Sequence, residues 1–136
     1  EKNYELNNDY YAVLNSNNSK EVKDIFNEFF DRNNKSDFYK IKIDINERSI
    51  PLITNSDGTV SKYKIEIYAA FILIELSSNE LIHSNFTRGF NSYSTESSEY
   101  DTEENKKIAL KQATREALQI LISKIQNHIT KISKWL

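Results

Sequence analysis

His83 and His128 are the only imidazoles in this chain, and neither stands at a spacing that chemistry could use. A metal centre needs three or four convergent ligands. No H-x-H or H-E-x-x-H pattern is present, and no cysteine exists to complete a set. Carboxylates are more plentiful. Asp44 lies near Glu47, Glu96 near Glu99, and Glu103 beside Glu104. A general acid–base pair needs one carboxyl in an apolar pocket, and these sit in polar stretches that predict solvation. The acidic run Glu96, Glu99, Asp101, Glu103 lacks the alternating spacing of a calcium loop. With only 2 glycines there is no phosphate-cradling loop and no nucleophile elbow. The expectation is a non-enzyme with no catalytic residue, no cofactor and no metal, whose function lies in surfaces.

Two surfaces stand out. Lys62 and Lys64 fall on one face of a strand, and Arg88 falls on the next strand near Tyr68. Three such cations could hold the phosphate of an anionic amphiphile or of a nucleic acid. The plain alternative is ordinary lysine protection of a strand surface. The second is the segment 70–76. There Ile72, Ile74 and Leu76 are apolar opposite a face that is already apolar through Phe71 and Leu73. A second covering element, a partner or a lipid would each account for it, as would cover from the N-terminal segment or from Trp135-Leu136.

These residues need elements to position them. The 136 residues predict one domain spanning 1–136, with residues 1–18 a poorly defined, Asn-rich start. A formal charge of −2 gives no general pull toward nucleic acid or an acidic membrane surface. The longest apolar run, 68–74, is strand-sized, so no segment is predicted to span a bilayer as a helix.

Tyr10 to Leu14 reads as a short strand. Val22, Ile25, Phe26, Phe29 and Phe30 form one helical stripe, with Asn18 as cap, Glu21 as its box partner and Asn33-Asn34 as the stop. Phe38 to Arg48 alternates as a strand that Pro51 should end. Asn55 to Gly58 is a turn, and Ser61 to Leu76 a long strand. Ser77 to Glu80 turns the chain into a return strand with Ile82, Phe86 and Phe90 on one face and a bulge at Gly89. A Ser/Glu loop over 94–102 leads to a helix from about Glu103, capped by Asp101 with Glu104 completing the box. Its stripe is Leu110, Ala113, Ala117, Leu118, Leu121, Ile125, Ile129 and Ile132, with Ala113 and Ala117 small enough for close approach to a sheet. The order β-α-β-β-β-α predicts an α+β two-layer sandwich, two helices on one face of a small, mostly antiparallel sheet.

Residues 57–122 resemble the lipopolysaccharide-assembly lipoprotein family, LptE, most nearly its alphaproteobacterial type. The resemblance rests on Asp57-Gly58-Thr59 before Ser61-Lys62-Tyr63-Lys64-Ile65, and on Phe86-Thr87-Arg88-Gly89-Phe90. It continues through Ser92-Tyr93, Ser98-Glu99-Tyr100, Glu103-Glu104 and Ala113-Thr114-Arg115-Glu116-Ala117-Leu118. It implies a lipoprotein at the periplasmic face of the outer membrane, tethered by a lipidated Cys upstream of Glu1. Such a protein plugs the β-barrel LptD, aids its assembly and binds lipopolysaccharide. On that reading Lys62, Lys64 and Arg88 are the residues for the lipopolysaccharide head group, and Ile72, Ile74, Leu76, Tyr93 and Tyr100 those for partner contact. The other reading is a double-stranded RNA-binding module, because α-β-β-β-α also describes that domain and Lys106, Lys107 and Lys111 begin the last helix. The acidic loop before that helix and the negative net charge weigh for a protein that binds no nucleic acid.

Overall fold

The structure is a computed structural model and describes residues 10–30 and 38–134, with the backbone alone for 131–134. Residues 1–9, Asn33-Asn34, Trp135-Leu136 and the side chain of Ile132 lie outside the described residues. The elements follow the order β1 (Tyr10–Leu14), α1 (Lys20–Phe29), β2 (Tyr39–Thr54), β3 (Val60–Glu75), β4 (Glu80–Ser94) and α2 (Glu99–Lys134). The sheet order is β1-β2-β3-β4. β1 runs parallel to β2, as a strand returning through a helix must, and the two hairpins are antiparallel.

The alternation that predicts each strand also selects its buried face. Ile41, Ile43 and Ile45 of β2 and Ile65, Ile67, Ala69, Phe71 and Leu73 of β3 are buried beneath the helices. Val22, Ile25 and Phe26 of α1 and Leu110, Ala113, Ala117, Leu118, Leu121, Ile125 and Ile129 of α2 close the core from above. α2 has 36 residues, or about 54 Å at 1.5 Å per residue. It runs antiparallel along the whole of β4. Asn105 donates to Ser94 O, Glu116 accepts from Phe90 N, and Lys124 donates to Phe86 O. Those three side chains also occupy backbone groups on the outer edge of the sheet, which blunts it against unwanted strand pairing.

Several local expectations are corrected. The cap of α1 is Ser19, whose hydroxyl accepts from Val22 N at 3.4 Å. Asn18 instead clamps β2, donating to Ile45 O at 3.0 Å and to Glu47 Oε2 at 2.8 Å. Glu47 in turn accepts from Ser19 N, which puts a carboxylate at the positive end of α1. α1 ends at Phe29, and the N–H of its capping residue Phe30 donates to Phe26 O. α2 starts at Glu99 rather than Glu103, because Ser98 Oγ accepts from Asp101 N at 3.3 Å and takes the capping role given to Asp101. Pro51 does not end β2. β1 covers β2 only as far as Ile43, so β2 is an edge strand at Pro51 and tolerates the missing N–H, with the register slipping around Leu52. The bulge in β4 lies at Ile82, between Leu73↔His83 and Ile74↔Leu81, and not at Gly89.

Tyr10 starts β1 with its ring 3% exposed, and burial pushes its phenol up to about 12. The core holds the neutral form. Its contribution is therefore complete below the unfolded value of 10.0 and is lost as pH rises through about 12. In urea titrations at pH 10 to 12 the wild type is expected to lose stability more steeply than Tyr10→Phe, and parallel curves would contradict this.

Candidate functional site

Both helices pack on one face, and no described element packs on the other. That open face is where the outward residues of β2, β3 and β4 meet. Its cations are Lys40, Lys42, Arg48, Lys62, Lys64 and Arg88, set against the carboxylates Asp44 and Glu66. Six cations against two carboxylates, in a chain of net charge −2, make this the basic side of a protein otherwise acidic.

Arg88 reaches this face only because of the Ile82 bulge. The turn after Glu75 pairs Glu75 with Glu80 and Ile74 with Leu81. Continued without a break, that register would set Arg88 opposite Ile67, toward the core. The extra residue at Ile82 shifts every later pair by one and places Arg88 opposite Tyr68 and Phe86 opposite Ala70. The same slip corrects the expected grouping of Ile82, Phe86 and Phe90. Ile82 packs against the core, while Phe86 and Phe90 are each 42% exposed on the open face.

Two of these cations lie over aromatic rings. Lys64 Nζ is 4.7 Å from the Phe90 ring centre, and the Arg88 guanidinium is 5.2 Å from both Tyr68 and Phe86. Tyr68 and Phe86 are themselves stacked at 5.1 Å. Such contacts hold a cation in place while leaving its outer side to water or a ligand. Glu66 ties the arginines together, Oε1 to Arg48 at 3.1 Å and Oε2 to Arg88 at 3.3 Å. Among the described residues Lys62 and Lys64 enter no ion pair.

Towards the β3–β4 turn the face adds apolar side chains beside Lys40 and Lys42, which pair with Ile74 and Ile72. Ile72 and Ile74 are half-buried there, Leu81 is 57% exposed, and Phe38 is 61% exposed. Between the two regions runs a shallow groove of about 370 Å³ bounded by Lys42, Asp44, Tyr68, Ala70, Ile72 and Phe86. Cations and apolar surface side by side match an amphiphile lying along β3.

The residues singled out from sequence therefore divide. Lys62, Lys64, Arg88, Ile72 and Ile74 share the open face, and Leu76 is half-buried just beyond it. Tyr93 points the other way, 8% exposed and stacked on Tyr63 at 5.3 Å, so it offers little to a partner. Tyr100 is 71% exposed in the first turn of α2, away from the sheet. Asp44 and Glu47 lie on opposite faces of β2. Lys107 pairs with Glu104 at 3.3 Å, so the basic start of α2 is partly neutralised. His83 and His128 stack on each other at 4.2 Å, on the helix side. Among the described residues no group of three potential ligands could hold a metal ion, and no helix is long and apolar enough to cross a membrane. Sequence reasoning missed Arg48, Lys42 and the bridging role of Glu66. Counting back from a turn at 55–58 sets Arg48 opposite Ile65, and the pair Arg48–Glu66 follows only from the longer loop that leaves Thr54 opposite Val60.

By sequence, neither a family model nor a curated protein matches the chain. By structure it is similar to a protein of Caulobacter crescentus CB15 named as a lipoprotein, at 11% identity and TM-score 0.75, over 96% of this chain and 97% of that one. It is also similar to rare lipoprotein B of Shewanella oneidensis, at 14% identity and TM-score 0.66, over 90% of this chain and 98% of that one. A minor lipoprotein of Acinetobacter baumannii matches at 11% identity and TM-score 0.64, over 89% and 92%. At these identities the likeness is one of fold. The α+β two-layer architecture with two helices over a four-stranded, mostly antiparallel sheet is thus common to this chain and several bacterial lipoproteins.

Proposed function

We propose that this protein is a non-enzymatic outer-membrane lipoprotein of the LptE type, held at the periplasmic face through a lipidated Cys upstream of Glu1. In this reading it sits in the LptD β-barrel, helps that barrel assemble and binds lipopolysaccharide. The observation that carries the proposal is the open sheet face, on which cations stand beside exposed apolar side chains. A phosphate-bearing glycolipid needs both. Lys62, Lys64 and Arg88 supply point charges and a guanidinium fork to phosphate, and the strip Ile72, Ile74, Leu81 accepts acyl carbons. The fold shared with bacterial lipoproteins supports it.

The test is co-purification. A tagged, full-length chain expressed in a Gram-negative host is expected to bring down LptD, identified by mass spectrometry, in near-stoichiometric amount after mild detergent extraction. Recovery of the tagged chain from the outer membrane without LptD would overturn the barrel partnership.

A further inference from the structure

Glu66 lies at the centre of the open face, its side chain 13% exposed, while the two arginines it bridges are 61% and 49% exposed. A carboxylate that binds two guanidiniums occupies with its oxygens the places that two phosphate oxygens would take. Arg88 does not depend on it for orientation, because Tyr68 and Phe86 hold the same guanidinium by their faces. Removing the carboxylate therefore leaves Arg88 in place and adds net positive charge where a ligand would sit. No other carboxylate contacts these two arginines among the described residues.

We infer that Glu66 is an exchange anion built into the site. It holds Arg48 and Arg88 while the face is empty, yields them to the phosphate of an amphiphile, and takes them back when the amphiphile leaves. Release then exposes no uncompensated arginine pair, so dissociation is faster and affinity lower than the cations alone would set. A face that must pass its ligand on requires this, and one that stores it does not. The inference rests on the reading of the face as a phosphate-amphiphile surface and names what regulates its grip.

Binding is measured with phosphatidylcholine vesicles doped with phosphatidic acid, against undoped vesicles, for the wild type, Glu66→Gln and Glu80→Gln. Glu80 is an exposed carboxylate at the start of β4, away from the arginines, and its change controls for overall charge. The expected result is that Glu66→Gln binds doped vesicles about three- to tenfold more tightly, mainly through slower dissociation, with Glu80→Gln unchanged. Circular dichroism melting confirms that the near-isosteric variant is folded. If the wild type binds and a folded Glu66→Gln binds equally or less well, the exchange role is overturned and the surface stands. Equal gains for Glu80→Gln overturn it as well, since bulk charge then suffices. If no form binds doped vesicles above undoped ones, the reading of the surface falls and the inference falls with it.

Discussion

Gly89→Ala is expected to destabilise the fold by about 3 kcal/mol or more, the upper end of what overpacking costs. A Cβ built on Gly89 falls within the radius of the Ala113 carbonyl oxygen and 2.8 Å from Ala117 N. Both obstacles are helix backbone, which cannot rotate aside as a side chain would. Ala113 and Ala117 are themselves 0% exposed, so α2 already lies as close to β4 as alanine allows. Relief requires moving α2 off the sheet, and α2 is fixed beside this point by the buried Thr87 Oγ1 bond to Ala117 O at 2.8 Å. For a domain of this size, 3 kcal/mol corresponds to a fall of about 10 °C in Tm. Thermal melts followed by circular dichroism check the value. A melting point within about 2 °C of wild type would show that the helix can lift without loss, and that the close approach is not what requires glycine here.

Gly89 also shows what sequence could and could not reveal. A glycine in a strand signals either a bulge or a close neighbour, and its own position does not say which. The answer lay in another element, where Ala113 and Ala117 are spaced one helical turn apart to receive a backbone. Periodicity identified every element, and the buried stripe of α2 agrees with it at each described position from Leu110 to Ile129. Local punctuation was less legible. Ser19 and Ser98 displaced Asn18 and Asp101 as caps by one and three positions, because several capping side chains compete there and tertiary bonds decide between them. The site followed the same rule. Strand alternation alone put Lys62, Lys64 and Glu66 on one face. The place of Arg88 depended on an extra residue at Ile82, between Leu81 and His83 with no turn former to mark it. The same shift turns Tyr93 to the helix side, since a strand residue changes faces with every unit of register.

Lys62→Ala, Lys64→Ala and Arg88→Ala together are expected to weaken lipopolysaccharide binding by about 30- to 100-fold, from about 2–3 kcal/mol shared among three partly exposed charge-assisted contacts. The three residues do not contribute alike. Lys62 and Lys64, the latter over the Phe90 ring, act as point charges without ion pairs among the described residues, so their loss lowers attraction with little effect on the protein. Arg88 is a held fork, stacked on Tyr68 and Phe86 and bonded to Glu66. Its loss takes away the fork and leaves Glu66 answered by Arg48 alone, a carboxylate now less neutralised in the path of a phosphate. Arg88→Lys should therefore recover only part of the loss, since an ammonium cannot lie flat on the two rings and bond Glu66 at once. The salt dependence of binding separates this from a general effect of net charge. The triple variant is expected to flatten the slope of affinity against salt, whereas Lys106→Ala with Lys107→Ala, which removes two cations on α2, leaves affinity and slope near wild type. Unchanged lipopolysaccharide binding in the triple variant would show that the head group lies elsewhere. A loss on changing Lys106 and Lys107 instead would move the site to the start of α2, beside Glu103 and Glu104.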